Sequence, residues 1–166
     1  MIYLKEKRGF ASDQVDNLGI ICYVLMAVLC VLVGKLSDVI GRQRIYFIML
    51  GVIILICFQV TYIIEFGTWV EVGIAQLILA CLAAAYIAPE PTLQAELFPA
   101  KVRSTALAVS YNLGVTIFGG TALYVFEKLV QNTGSLGACS NYIVIVSIFG
   151  MIGIAFYKNR SKEAKL

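Results

Sequence analysis

The sequence predicts an all-α membrane protein of about five transmembrane helices. Hydrophobic residues make up 60% of the 166 and charged residues only 14%, whereas a soluble domain is about half apolar and about a quarter charged. The few charges are also clustered, leaving uncharged stretches at 17–34, 45–64, 72–89, 104–126 and 129–157. Crossing about 30 Å of hydrocarbon takes roughly 20 residues of helix, so all five stretches are long enough. A soluble bundle of buried helices would need polar stripes at helical spacing on its wet faces, and these segments have almost none.

Residues 1–17 form a stub ahead of the first stretch, expected to be the end of a truncated helix and an outward-facing loop. Its opening apolar residues meet Lys5, Glu6, Lys7 and Arg8, far too early for the apolar core of a secretory signal. The first span (A) would therefore direct insertion. Spans A to E lie in a predicted bundle over 18–157, followed by a basic tail at 158–166. Span C carries Ala80, Ala83, Ala84, Ala85 and Ala88, a small-residue face on which another helix can approach closely. Gly114, Gly119 and Gly120 in span D, and Gly150 and Gly153 in span E, predict the same. Tyr62 and Trp69 flank the B–C turn, where amphipathic rings favour the headgroup level.

Lysine and arginine accumulate in cytoplasmic loops. The A–B loop (Lys35, Arg42, Arg44), the C–D loop (Lys101, Arg103) and the tail (Lys158, Arg160, Lys162, Lys165) together carry nine; the B–C loop carries none and the D–E loop only Lys128. The stub adds Lys5, Lys7 and Arg8 to the other side. The excess predicts the N-terminus out and the C-terminus in. A net charge of +3 spread over loops gives no basis for nucleic-acid binding, and the absence of histidine excludes histidine metal sites and Ser-His or Cys-His nucleophiles. The cysteines, Cys22, Cys30, Cys57, Cys81 and Cys139, contain no C-x-x-C pair and read as small apolar packing residues. No cofactor and no metal is expected.

Two loops carry the functional information. The first runs from Gly34 through Leu36, Ser37, Asp38 and Gly41 to Arg42 and Arg44. Gly34 and Gly41 would permit a tight reversal, and Asp38 can accept from a helix N-terminus or a neighbouring arginine; an ordinary basic turn is the plainer reading. The second runs from Pro89, Glu90 and Pro91 to Glu96, Pro99 and Arg103. Pro99 should break the helix, Ser104 or Thr105 could cap the next one, and Glu96 and Arg103 could pair across the break. A surface ion pair of little energetic value is the alternative there. Tyr111 and Asn112 put polar groups inside span D, facing either a solute pathway or a helix-to-helix hydrogen bond. Glu90, between two prolines, is either an interfacial helix end or a coupling or gating group.

The first loop resembles the G-x-L-[SA]-D-R-x-G-R-[RK] signature of the major facilitator superfamily, with Val39 in place of its inner arginine and Gln43 in place of its last basic residue. The second resembles E-L-F-P-x-x-x-R-x-T-[GA], at the same place in that superfamily's metabolite:proton symporter group and in its organic-ion and sugar relatives. Tyr111, Asn112, Phe118, Gly119 and Gly120 are similar to the same group's Y-N-x-x-x-x-x-F-G-G-x-x-P run, with Leu123 where proline is expected. The stub's Tyr3, Leu4, Gly9 and Phe10 look like the outward loop after the seventh helix. A P-E-T-K-G tail is absent, which argues against the sugar-porter branch.

The resemblance implies that spans A to E match the eighth to twelfth helices of a twelve-helix bundle, in a bacterial inner membrane. It implies a cytoplasmic latch of Asp38, Arg42, Glu96 and Arg103, and a fragment of a proton-coupled symporter of small organic solutes. Those solutes would be proline- or betaine-like osmolytes or carboxylates. Its partners would be membrane lipid and, if a complementary N-terminal half is present, solute and proton; alone it would be inactive. A non-transporting membrane interaction subunit is the alternative. A membrane enzyme is disfavoured, since no H-E-x-x-H, no G-x-G-D and no second mid-span acid occurs.

Overall fold

Hydrophobic stretches separated by short charged turns can satisfy their backbone in lipid only as helices, and the computed structural model, which describes residues 2–156, is helical from end to end. A short α1 (Ile2–Glu6) precedes α2 (Ser12–Ile40), α3 (Arg42–Phe66) and α4 (Trp69–Ile87). Then come α5 (Glu90–Glu96), α6 (Arg103–Gly114), a π-helical turn (Val115–Gly119), α7 (Gly120–Thr133) and α8 (Gly137–Ala155). Five segments are long and apolar enough to cross a membrane: Ser12–Ile40, Arg42–Phe66, Trp69–Glu96, Arg103–Thr133 and Gly137–Ala155. The chain is a multi-pass membrane protein with the five spans its hydropathy predicts. The tail at 158–166 lies outside the described residues.

The helices run past the uncharged stretches, taking in charged residues such as Asp13 and Asp16 near the start of α2. The reversal between α2 and α3 takes a single residue. Gly41 has φ +105° and ψ 122°, a region that side chains disfavour. Gly34 plays no part in it, contrary to expectation: it lies inside α2, where its carbonyl accepts the Ser37 hydroxyl at 2.7 Å. At the far end of α3 a Cβ on Gly67 would come within 2.5 Å of the Ile63 carbonyl oxygen, so closeness selects glycine there. The α4 start is a capping box in which Thr68 N donates to the Glu71 carboxylate at 2.7 Å, satisfying an orphan donor.

Pro89 is buried, and Pro91 sits in the first turn of α5, where a missing N–H is harmless. Pro99 lies in the break at 97–102, as expected. Neither Ser104 nor Thr105 caps α6. The cap position is Val102, and both polar residues are already inside the helix.

α4 packs between α2 and α3, and α3 between α4 and α8. The predicted small face of span C is buried at Ala80 and Ala84, with Cys30 of α2 donating to the Ala84 carbonyl at 3.8 Å. Gly150 lets α8 approach α3: a Cβ there would stand 3.4 Å from a Leu50 methyl. The span formed by α6 and α7 is different, with no buried residue in its most apolar window. Its large apolar side chains, Val109, Leu113, Ile117, Phe118 and Leu123, are exposed.

Candidate functional site

The two ends of the bundle gather the polar groups, and the Arg42 end holds the sequence-predicted loop residues. Gly41 sets the last turn of α2 against the first turn of α3, which places Asp38 and Arg42 face to face. Arg42 Nε and Nη2 both donate to Asp38 Oδ1, at 3.2 and 2.5 Å. Arg42 Nη1 donates to Glu96 Oε1 at the end of α5. One guanidinium therefore joins three helix ends.

The placement is electrostatically unusual. Asp38 lies in the last turn of α2 and Glu96 ends α5, where the helix dipole disfavours an anion; Arg42 begins α3, where it disfavours a cation. Each charge is tolerated through the others, and all three keep some contact with solvent, from 22% exposure at Glu96 to 58% at Asp38. A cluster that needs its partners and yet reaches water is suited to opening and closing.

The remaining loop residues surround it. Arg103 begins α6, and its Nε donates to the Phe98 carbonyl at 3.3 Å, across the Pro99 break. Arg44 is exposed on the first turn of α3. Gln43, standing where the superfamily signature has a basic residue, donates to the Ile154 carbonyl at 2.9 Å and so ties the C-terminal end of α8 to the same corner. Glu90 lines a cavity between α3, α5 and α8, with Tyr46 and Gln94. Tyr111 and Asn112 are elsewhere, exposed on α6, and Asn112 Nδ2 donates to the Ala108 carbonyl of its own helix at 2.8 Å. The π turn follows directly, with Val115 N donating to the carbonyls of both Tyr111 and Asn112. It supplies an irregularity just before Leu123, where the resembled motif has its proline. Among the described residues no group of acids and cysteines could hold a metal ion.

Sequence reasoning missed the Arg8 end. Arg8 donates to the carbonyls of Glu65, at 2.5 Å, and of Gly67, closing the C-terminus of α3. Glu65 in turn accepts from Ser135 Oγ at 2.9 Å and Leu136 N at 3.0 Å, capping α8. Beneath them Leu4, Val15 and Val72 form a buried core with Phe10, Ile64 and Trp69 packed against it. The Tyr3 phenol is pushed up by burial and by the Glu65 carboxylate, against the opposing effect of Arg8. Glu65 offered one signal, an acid at the end of an apolar stretch with no basic residue nearby in sequence; Arg8, with Glu6 two positions away, offered none.

Comparison with known proteins bears on this arrangement. A family model described as "Sugar (and other) transporter" matches residues 3–163. The chain belongs to that family. It is a family of the major facilitator superfamily, as the two loop motifs implied. Among similar proteins, the ectoine/proline transporter of Corynebacterium glutamicum is 28% identical over 99% of this chain and 33% of its own length. A putative proline/betaine transporter of Staphylococcus aureus is 30% identical over 93% of this chain and 33% of its length. The alpha-ketoglutarate permease of Escherichia coli is 24% identical over 99% and 38%. The chain thus spans about a third of the length of these relatives. No solved structure matches it.

Proposed function

We propose that these five spans are the C-terminal part of a secondary active transporter, a proton-coupled symporter of small organic solutes, oriented with the Arg42 end in the cytoplasm of a bacterial inner membrane. The observation that carries the reading is Arg42 bridging Asp38 and Glu96 at the positions of two transporter loop motifs. It would act as a latch: closed, it holds the ends of α2, α3 and α5 together; open, it frees them to part, and any ligand preferring one state shifts the balance. The names of its relatives point to the solute class, proline- or betaine-like zwitterions, with carboxylates as the second choice. Tyr111 and Asn112 on α6 would face the pathway. No enzymatic role is assigned.

Transporters of this architecture bind solute between two rocking halves. The unpacked faces of α6, α7 and α2 support the same view, since polar groups such as Asn112 need a wet cavity or protein partners rather than lipid. Alone, therefore, the 166 residues would not transport. The test is uptake of labelled proline or betaine in a transport-deficient host. The chain would be expressed alone, and together with the N-terminal two thirds of the Staphylococcus aureus relative. Uptake only from the pair, abolished by a protonophore and by Arg42→Gln, is the expected result. Uptake by the chain alone would overturn the incompleteness, and insensitivity to the protonophore would overturn the coupling.

A further inference from the structure

The cavity beside Glu90 has a chemistry that the latch does not use. It is a half-open hollow of about 280 Å³ at the Arg42 end, lined by Tyr46 of α3, Glu90 and Gln94 of α5, and Gly150 and Gly153 of α8, with Phe156 beside them. That volume is just below the roughly 300–1,000 Å³ of small-molecule sites, the scale of a head group rather than a whole amphiphile. Neither α6 nor α2 contributes to it, so it is separate from the pathway proposed for Tyr111 and Asn112.

Glu90 is half-buried there. Its Oε1 accepts from Gln94 Nε2 at 2.9 Å, but among the described residues the ion pairs are Lys5–Asp16, Arg42–Asp38 and Arg42–Glu96, and none compensates Glu90. A carboxylate taken partly out of water without a cation is costly. Two aromatic residues, Tyr46 and the largely exposed Phe156, share the lining with it. The Tyr46 ring packs on Tyr86 with centroids 4.7 Å apart. A single carboxylate with aromatic faces suits a soft organic cation, held by charge and by ring quadrupoles. It does not suit a hard metal ion, which needs several oxygen ligands.

We propose that this cavity binds an ammonium group, with Glu90 as its counter-ion and Tyr46 as its aromatic wall. The ammonium can come from a free organic cation or from a lipid head group, and the test separates the two. The proposal is independent of whether the protein transports anything.

The whole chain is placed in phosphatidylglycerol nanodiscs and choline is titrated by saturation-transfer NMR of its methyl signal, with empty nanodiscs subtracted. The neutral isostere 3,3-dimethylbutanol serves as the control. Choline should bind, and at least tenfold more tightly than the isostere. Glu90→Gln should weaken it at least tenfold, and Tyr46→Leu about threefold, in line with a cation–π contact at a partly wet site. Phosphatidylethanolamine in the nanodisc should displace choline if the occupant is a head group and leave it bound if the occupant is free; either outcome supports an ammonium site. Equal binding of the isostere, undiminished binding by Glu90→Gln, or no choline signal together with no effect of phosphatidylethanolamine overturns it. Should Glu90→Gln fail to fold, Gly153→Leu decides. A Cβ at Gly153 meets nothing within 4 Å, so a side chain starting there has room to enter the cavity that Gly153 lines, and retained choline binding in that variant would overturn the site.

Discussion

The two polar ends of this bundle use the same residue types in opposite ways. At the Arg8 end the charges complement the helix dipoles. Arg8 meets the C-terminal carbonyls of α3, Glu65 caps the N-terminus of α8, and Glu71 closes the capping box of α4. At the Arg42 end the bridged charges oppose the dipoles, with Asp38 and Glu96 at C-termini and Arg42 at an N-terminus. Favourable placement makes a permanent tie. Charges that are unfavourable singly and favourable together make a contact that can be exchanged. The difference teaches that ion-pair geometry alone does not separate a fixed tie from the proposed latch; the position of each charge on its helix is what distinguishes the two ends.

The sharpest way to break this contrast is Arg8→Ala. Hydrogen bonds from a charged donor contribute about 1.5–3 kcal/mol each, and two are lost together, so unfolding in mixed micelles should show a loss of about 3 kcal/mol. A loss below about 1 kcal/mol would mean that this end is not tied. Next comes Gly41→Ala, which forces a side chain into a sparsely populated backbone region at a cost of about 1–3 kcal/mol. It should lower the thermal midpoint and also loosen the Asp38–Arg42 contact, seen as a greater distance between spin labels on the ends of α2 and α3. Thr68→Ala removes one half of a capping box and should cost about 1 kcal/mol in the same unfolding measurement.

The smallest stability effects should come from Asp38→Asn and Glu96→Gln, below about 1 kcal/mol each, as for exposed ion pairs. In a reassembled transporter the same substitutions should shift the inward- and outward-open populations, read by inter-helix distance measurements, and added salt should mimic them through screening. If they instead destabilise the fold more than Arg8→Ala does, the latch and the fixed tie must be exchanged.

Much of this was legible in the residues. The five uncharged stretches marked the spans because lipid demands long apolar helices whatever their neighbours. The motif spacing of Asp38, Gly41, Arg42 and Glu96 marked one cluster, and the alanines of span C marked a packed face. Gly34 was misplaced because glycine is permissive both in a turn and inside a helix, and only the backbone shows which. Ser104 and Thr105 were misread as caps because a helix start shifted by one or two residues leaves the sequence unchanged.

What the sequence by itself determined was therefore local and one-dimensional: apolar length, the breaks at Gly41 and Pro99, and the loops that carry charge. Only the tertiary structure decided which distant residues meet. Arg42 reaches Glu96 across 54 positions and Arg8 reaches Gly67 across 59; Glu90 shares a cavity with Tyr46 and Phe156. The reason is physical. Hydropathy along the chain fixes how deep each residue sits in the bilayer, but in lipid it says nothing about which helix lies beside which, since tails and apolar side chains are alike as solvents. That choice falls to small-residue contacts such as Gly150 on Leu50, and to the few polar groups that must find one another.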